Sequence, residues 1–144
     1  IKFLVKKINP DFQLNKFFYK QVGKKHRWLD RLNWSDEKWI NYISNKNLDT
    51  YIISDSENLV GFFELLNNPH LSETEISYFG LLEEYIGRGI GGYALSEAIR
   101  KSFEKNIKRV WLHTCTLDHP NALKNYIARG MTVFKKENIN IIDN

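Results

Sequence analysis

The chain has 144 residues, the size of a single domain, and its 42% hydrophobic and 14% aromatic residues exclude a disordered chain. The formal net charge of +4 comes from scattered lysines and arginines, which argues against a nucleic-acid partner and suits a polyanionic small ligand. No apolar run approaches the roughly 20 residues of a membrane-spanning helix. The single cysteine, Cys115, excludes an internal disulfide, and no apolar leader stretch is seen, so we expect a cytoplasmic protein without membrane contact.

The first part of the chain predicts one strand and two helices. Ile1–Val5 is short and apolar, as in a strand. Phe12–Gln21 has helical spacing, and Gly23 is expected to end that helix. Ser35 precedes two acidic residues and an apolar face, which predicts a second helix capped by its hydroxyl.

The rest of the chain predicts strands and two further helices. The strand candidates are Thr50–Ile53, Leu59–Leu66, Glu75–Leu82, Lys108–Thr114, Met131–Phe134 and Ile139–Ile142. Leu95, Ala98, Ile99, Ser102 and Phe103 recur at helical spacing. A last helix opens near Pro120 and is expected to end at Gly130 in a left-handed conformation. Because no repeat or linker interrupts this order, we expect one α/β domain over residues 1–144.

A glycine-rich loop, Gly87–Gly92, lies between the Glu75–Leu82 strand and the following helix. Four glycines in six residues are more than a tight turn needs, and they let a ligand approach the backbone closely. The unpaired N–H groups and positive dipole of a helix N-terminus favour a phosphate or pyrophosphate.

Three phosphate-binding patterns compete for this loop. Gly87, Gly89 and Gly92 fit the dinucleotide fingerprint, but the acid that it expects about 20 residues later is missing near His113 and Thr114. A P-loop requires Gly-Lys-Ser/Thr, which Tyr93 excludes. The third pattern is an acyl-coenzyme A loop.

The third pattern resembles the main motif of the GNAT acetyltransferase superfamily, Arg/Gln-x-x-Gly-x-Gly/Ala. It falls here on Ile86–Gly91, preceded by Leu81–Tyr85, and a second block of that superfamily resembles Asp118–Tyr126 with Arg129–Met131. The resemblance covers roughly Thr50–Phe134. Ile86 departs from the usual Arg or Gln, which puts one side-chain contact in doubt but leaves the backbone N–H groups.

The resemblance implies a mixed, mostly antiparallel sheet of about six to seven strands flanked by helices. The sheet would splay where the loop strand and the Lys108–Thr114 strand run parallel, and acetyl-CoA would bind there. The residues expected to bind it are Leu81, Leu82, Ile86, Gly87, Arg88, Gly89, Ile90, Gly91, Gly92, Asn121 and Tyr126.

The implied reaction is direct transfer of an acetyl group to the primary amine of a small molecule or peptide, without a metal. Glu75 is the leading candidate for the base, with Glu73, Glu64 or a water as alternatives, and Tyr126 for the acid that protonates the sulfur. His113, Cys115 and His119 cluster in the sequence, and a Cys–His nucleophile would need them within hydrogen-bond reach, but a cysteine is more often simply buried.

Two other functions stay open at this stage. The first is an acyl-CoA-binding module of the same fold without catalytic activity. The second is a nucleic-acid binder that uses Lys24–Trp28 and Arg31. The resemblance places acceptor recognition in Lys24–Trp39 and Asn67–Ser72, and leaves the acceptor, the acyl-chain preference and a homodimer undecided.

Overall fold

The order of strands and helices follows the order expected from the sequence. A computed structural model describes residues 3–26, 28–114 and 122–136. Their elements are β1 (Phe3–Lys7), α1 (Phe12–His26), α2 (Asp36–Ile43), β2 (Leu48–Asp55), β3 (Asn58–Asn68), β4 (Glu73–Leu81), a 3₁₀ turn (Glu83–Tyr85), α3 (Ile90–Phe103), β5 (Arg109–Leu112) and α4 (Ala122–Ala128). None of these helices is long and apolar enough to cross a membrane.

The five strands of the described residues form one sheet in the order β1-β2-β3-β4-β5. The first three pairs are antiparallel, and β4 pairs with β5 in parallel. This confirms the expected mixed, mostly antiparallel sheet.

The described residues contain five strands, whereas we expected six to seven in the whole chain. Residues 131–136 form no regular element, so the predicted strand Met131–Phe134 is wrong. A short apolar run becomes a strand only where a neighbouring edge accepts its backbone hydrogen bonds, and this segment forms no ladder with β5. The other candidate, Ile139–Ile142, lies outside the described residues.

The central strand β3 is buried on both faces, which explains its nearly continuous apolar sequence. Phe62 faces α1, where it stacks on Phe18 with 5.0 Å between ring centroids. Its neighbour Phe63 faces α3, in a cluster with Leu95 and Ala98. The sheet therefore lies between a layer with α1 and a layer with α3.

Glycines allow α1 to approach its neighbours closely. The first of them, Gly23, was predicted to end the helix, and this prediction is wrong. The helix continues through Gly23 to His26, so Gly23 does not end it. A Cβ there would collide with the side chain of Trp28, and the backbone N–H of Trp28 donates to the Gly23 carbonyl at 3.1 Å. Likewise, a Cβ on Gly80 of β4 would overlap Val22 of α1. Both positions are glycines because of close packing.

Two helix boundaries are confirmed in detail. The Ser35 Oγ accepts a hydrogen bond from the Lys38 N–H at 3.1 Å and so caps α2. At the end of α4, Gly130 has φ +95°, and the Met131 N–H donates to the Tyr126 carbonyl at 3.1 Å. This hydrogen bond, with that from Gly130 N–H to the Ile127 carbonyl at 3.0 Å, forms a Schellman motif.

Candidate active site

The sheet splays between β4 and β5, as predicted. One edge of β4 pairs with β3 as far as Leu81, whereas the other edge pairs with β5 only as far as Ile76 and Leu112. Beyond Ile76, this second edge of β4 has no strand partner among the described residues. A cavity of about 850 Å³ opens along it.

The glycine loop closes one end of this cavity. Gly87 and Gly89 have φ +85° and +79°, a backbone conformation that strongly favours glycine. A Cβ added at either residue would meet no atom within 4 Å, so the loop borders open space. Gly89 directly precedes α3, and no side chain of the described residues caps that helix. The amide groups of the first turn are therefore available to an anion.

Most of the residues expected to bind the co-substrate line the cavity. They are Leu81, Ile86, Gly87, Gly89, Gly91, Gly92 and Tyr126. The others in the described structure have different surroundings: Leu82 packs against α1, Ile90 is buried in the α3 core, and Arg88 stacks near the Tyr85 ring. Leu82 and Ile90 therefore anchor the two ends of the loop. Asn121, and with it Cys115, lies outside the described residues.

Helix α4 forms the wall opposite β4 and is held to the N-terminus of α3 by two side chains. Asn125 Nδ2 donates to the Gly91 carbonyl at 3.2 Å, and Arg129 Nε donates to the Gly92 carbonyl at 3.2 Å. No sequence motif assigned these roles, although the i, i+4 spacing of Asn125 and Arg129 places both on one helix face. Lys124 also lines the cavity. Tyr126 is half-buried and packs against the α3 core.

The base candidate Glu75 lines the same cavity and lies beside His113. The two side chains are 3.4 Å apart, from Glu75 Oε2 to His113 Nδ1. Glu73 is instead paired with Arg109 at 3.1 Å. A β-bulge at Ser77, between the pairs Ile76–Leu65 and Tyr78–Glu64, places Glu75 and Tyr78 on the face opposite Ile76.

Glu64, the third carboxylate considered, is fully buried in a hydrogen-bond network. It accepts from Asn15 Nδ2 at 2.8 Å, Tyr42 Oη at 2.6 Å and Arg31 Nη1 at 3.2 Å. It does not line the cavity. Its position favours a structural role as the counter-ion of Arg31.

Arg31 is buried, and its charge is compensated within the fold. Its guanidinium lies 4.1 Å from the ring centroids of both Tyr42 and Tyr78. Burial, the largest single effect, disfavours its charged form, but Glu64, Tyr42 and Tyr78 together outweigh burial and raise the pKa of Arg31. Arg31 is therefore not the solvent-facing charge that the nucleic-acid hypothesis requires. Trp28 packs against Tyr78 with 4.7 Å between ring centroids.

We call the end of the cavity lined by Trp28, Asp30, Arg31, Tyr42 and Tyr78 the aromatic chamber. Asp30 is its solvent-facing carboxylate, and it accepts hydrogen bonds from Tyr78 Oη and from Tyr19 Oη, the latter at 3.1 Å. Burial, together with Asp30, raises the pKa of both tyrosines, so that both phenols are neutral donors at neutral pH.

The mixed sheet that splays beside the glycine loop agrees with the comparison to protein families. Residues 9–131 match the model of the Acetyltransferase (GNAT) family. Because this match spans most of the chain, the protein belongs to the GNAT acetyltransferase family. No curated protein sequence matches the chain significantly. Within the described residues, no group of three or more His, Cys, Asp or Glu side chains could hold a metal ion.

Solved structures of similar fold include three acetyltransferases. The PaiA N-acetyltransferase of Thermoplasma acidophilum in complex with coenzyme A has a TM-score of 0.74 at 20% identity, covering 95% of this chain and 94% of its own. The spermidine N-acetyltransferase of Vibrio cholerae in complex with coenzyme A and spermine has a TM-score of 0.72 at 18% identity. The match covers 89% of this chain and 79% of that protein. An aminoglycoside acetyltransferase from an uncultured soil metagenomic sample, in complex with sisomicin, has a TM-score of 0.73 at 12% identity. The match covers 99% of this chain and 95% of that protein. These likenesses support the fold.

Proposed function

We propose that this protein is an N-acetyltransferase that moves an acetyl group from acetyl-CoA to a primary amine by direct transfer. The observation that carries this proposal is the continuity of one cavity. It joins the unpaired edge of β4 and the glycine loop to Glu75, Tyr126 and the aromatic chamber.

The residues present fit an acyl-CoA molecule. The amide-bearing pantetheine arm can form hydrogen bonds with the free edge of β4 over residues 77–81, as an added strand would. The pyrophosphate suits the uncapped N-terminus of α3, where Gly87 and Gly89 leave open space. Lys124 adds a positive charge to the cavity wall. No step of the proposed reaction depends on the Arg or Gln side chain that Ile86 replaces.

Glu75 is proposed to prepare the amine for attack. A lysine-type amine has a pKa of about 10.4 and arrives protonated at neutral pH. The Glu75 carboxylate accepts this proton, directly or through one water, and the neutral nitrogen can then attack a carbonyl carbon. Glu73 is less suited because Arg109 pairs with it, and Glu64 is less suited because three donors surround it away from the cavity.

Tyr126 is proposed to assist departure of the thiol. Acetyl-CoA, when bound, supplies a thioester whose carbonyl carbon forms the new C–N bond while its C–S bond breaks. The hydroxyl of Tyr126 donates its proton toward the departing sulfur, and the amide nitrogen loses its second proton to solvent. General acid and base groups each contribute typically about 10²–10⁴-fold.

A thiol-release assay tests this function. Purified protein is incubated with acetyl-CoA and a panel of primary amines, and free coenzyme A is measured with a thiol reagent while the acetylated amine is identified by mass spectrometry. We expect amine-dependent release. Calorimetric binding of acetyl-CoA without acetylation of any amine would instead support the catalytically silent binding module. No binding at millimolar acetyl-CoA would reject both functions.

A further inference from the structure

The aromatic chamber presents a carboxylate to whatever enters the cavity opposite the glycine loop. Asp30 is exposed, and two phenol donors, Tyr19 and Tyr78, fix its orientation. A carboxylate has about four lone-pair positions, so two hydrogen bonds leave room for a ligand donor. The rings of Trp28 and Tyr78 stand next to it, in an edge arrangement 4.7 Å apart.

The charges around the chamber favour a cation. Asp30 is the carboxylate that lines the chamber, and Glu75, His113 and Lys124 line the same cavity outside the chamber. Arg31 is the chamber's own cation, but it is buried, paired with Glu64 at 3.2 Å and covered by two tyrosine rings. Among the described residues, no lysine or arginine forms an ion pair with Asp30. Because Glu64 compensates Arg31, Asp30 is the charge of the chamber that no described cation balances, and it lies beside aromatic faces. This combination binds ammonium groups.

We infer that the acceptor carries two or more cationic nitrogen groups, one that is acetylated and a second that binds at Asp30, Trp28 and Tyr78. This inference rests on the proposed acetyl transfer and specifies its substrate class as small diamines and polyamines. The second ammonium ion is held without reacting, and it orients the first toward Glu75. An acceptor with a carboxylate in this position would be repelled by Asp30.

The test compares three amines of similar length: 1,4-diaminobutane, n-pentylamine and 4-aminobutyrate. We expect kcat/KM to be about tenfold higher for the diamine than for pentylamine, mainly through KM, and lowest for 4-aminobutyrate. Asp30→Asn removes the charge and keeps an acceptor oxygen for one of the two phenols, and in this variant kcat/KM for the diamine and for pentylamine should become equal within about twofold. Asp36→Asn is the control, because Asp36 is exposed and paired with Lys16 outside the chamber.

Each outcome has a distinct meaning. Equal kcat/KM for diamine and pentylamine in the wild type, or a diamine preference that persists in Asp30→Asn, would overturn the inference and leave acetyl transfer intact. If none of the amines is acetylated, the proposed function fails, and calorimetric titration with 1,4-diaminobutane still tests Asp30. Binding that weakens in Asp30→Asn supports the cation site, and absence of binding to the wild type rejects it. The wild-type amine series needs no variant to fold.

Discussion

His113 Nδ1 lies 3.4 Å from Glu75 Oε2, across the parallel strands β4 and β5. The Glu75 side chain is 21% exposed and that of His113 is 79% exposed. The carboxylate thus faces the cavity while its neighbour reaches bulk water. The carboxylates of Glu73 and Glu64 are instead each paired with an arginine.

Replacing Glu75 by Gln should lower kcat about 10²-fold with little change in KM for acetyl-CoA, because the amide cannot accept the proton of the ammonium group. Steady-state kinetics with the preferred amine measure this. Glu73→Gln is the control, because Glu73 lies two residues earlier on the same face of the strand. This variant should keep kcat within about threefold of the wild-type value. A larger loss in Glu73→Gln than in Glu75→Gln would assign the base to Glu73.

Replacing Tyr126 by Phe should lower kcat about 10²-fold while leaving KM almost unchanged, because the ring keeps its packing against the α3 core and only the acidic hydroxyl is lost. Tyr93→Phe is the matched control, since the Tyr93 hydroxyl contacts the Phe3 carbonyl at 3.4 Å, on the exposed side of α3. An unchanged kcat in Tyr126→Phe would remove this residue from the mechanism.

Replacing Gly89 by Ala should weaken coenzyme A binding about tenfold or more. Alanine costs about 1–2 kcal/mol at φ +79° and moves the N–H groups at the start of α3. Gly130→Ala is the control, because it carries the same backbone penalty at φ +95° and Gly130 does not line the cavity. The affinity of this variant for coenzyme A should stay within about twofold of the wild-type value. Calorimetry on both variants checks this. Equal weakening in the two would show that strain alone, rather than loop geometry, controls binding.

Asp49 should make folding sensitive to acid. Burial alone would raise the pKa of this carboxyl, but hydrogen bonds from Lys7 and Lys105, with their charges, hold it below its usual value. A carboxyl whose pKa is lower in the folded state stabilises the fold above its unfolded pKa of about 3.9, and this stabilisation is lost as pH falls through the folded value.

Asp49→Asn should therefore lower the free energy of unfolding by about 1–2 kcal/mol at pH 7. The difference from the wild type should shrink below about pH 4. Urea titrations at pH 7 and pH 3 measure both values. Asp55→Asn, at the other end of β2, should change stability by less than about 0.5 kcal/mol. A difference for Asp49→Asn that grows on acidification would contradict this account.

Local sequence signals predicted the frame of the molecule. The Ser35 cap, the left-handed Gly130 and the strand–loop–helix around Gly87–Gly92 each depend on a few neighbouring residues, so they could be read directly. Gly23 was misread for a related reason. A glycine in a helix can mark an end or a close contact, and the contact, with Trp28, depends on how the chain returns toward α1.

The aromatic chamber could not be predicted in the same way. Arg31 and Glu64 are 33 residues apart in the chain, and Tyr78 and Asp30 are 48 apart. No periodicity relates these positions, so the sequence left Arg31 as a solvent-facing charge and Glu64 as a candidate base. Only the packing of the α1–α2 connection over β3 and β4 shows that the two charges compensate each other.

The contact between Gly80 and Val22 has a consequence for how this protein can change during evolution. Because α1 rests on β4 where a Cβ would overlap the valine, a side chain at position 80 requires a smaller residue at position 22 or a displaced helix. The two positions should therefore covary among homologues. Since α1 leads directly into Trp28 and Asp30, such a paired exchange offers a route to a different acceptor that leaves the glycine loop untouched.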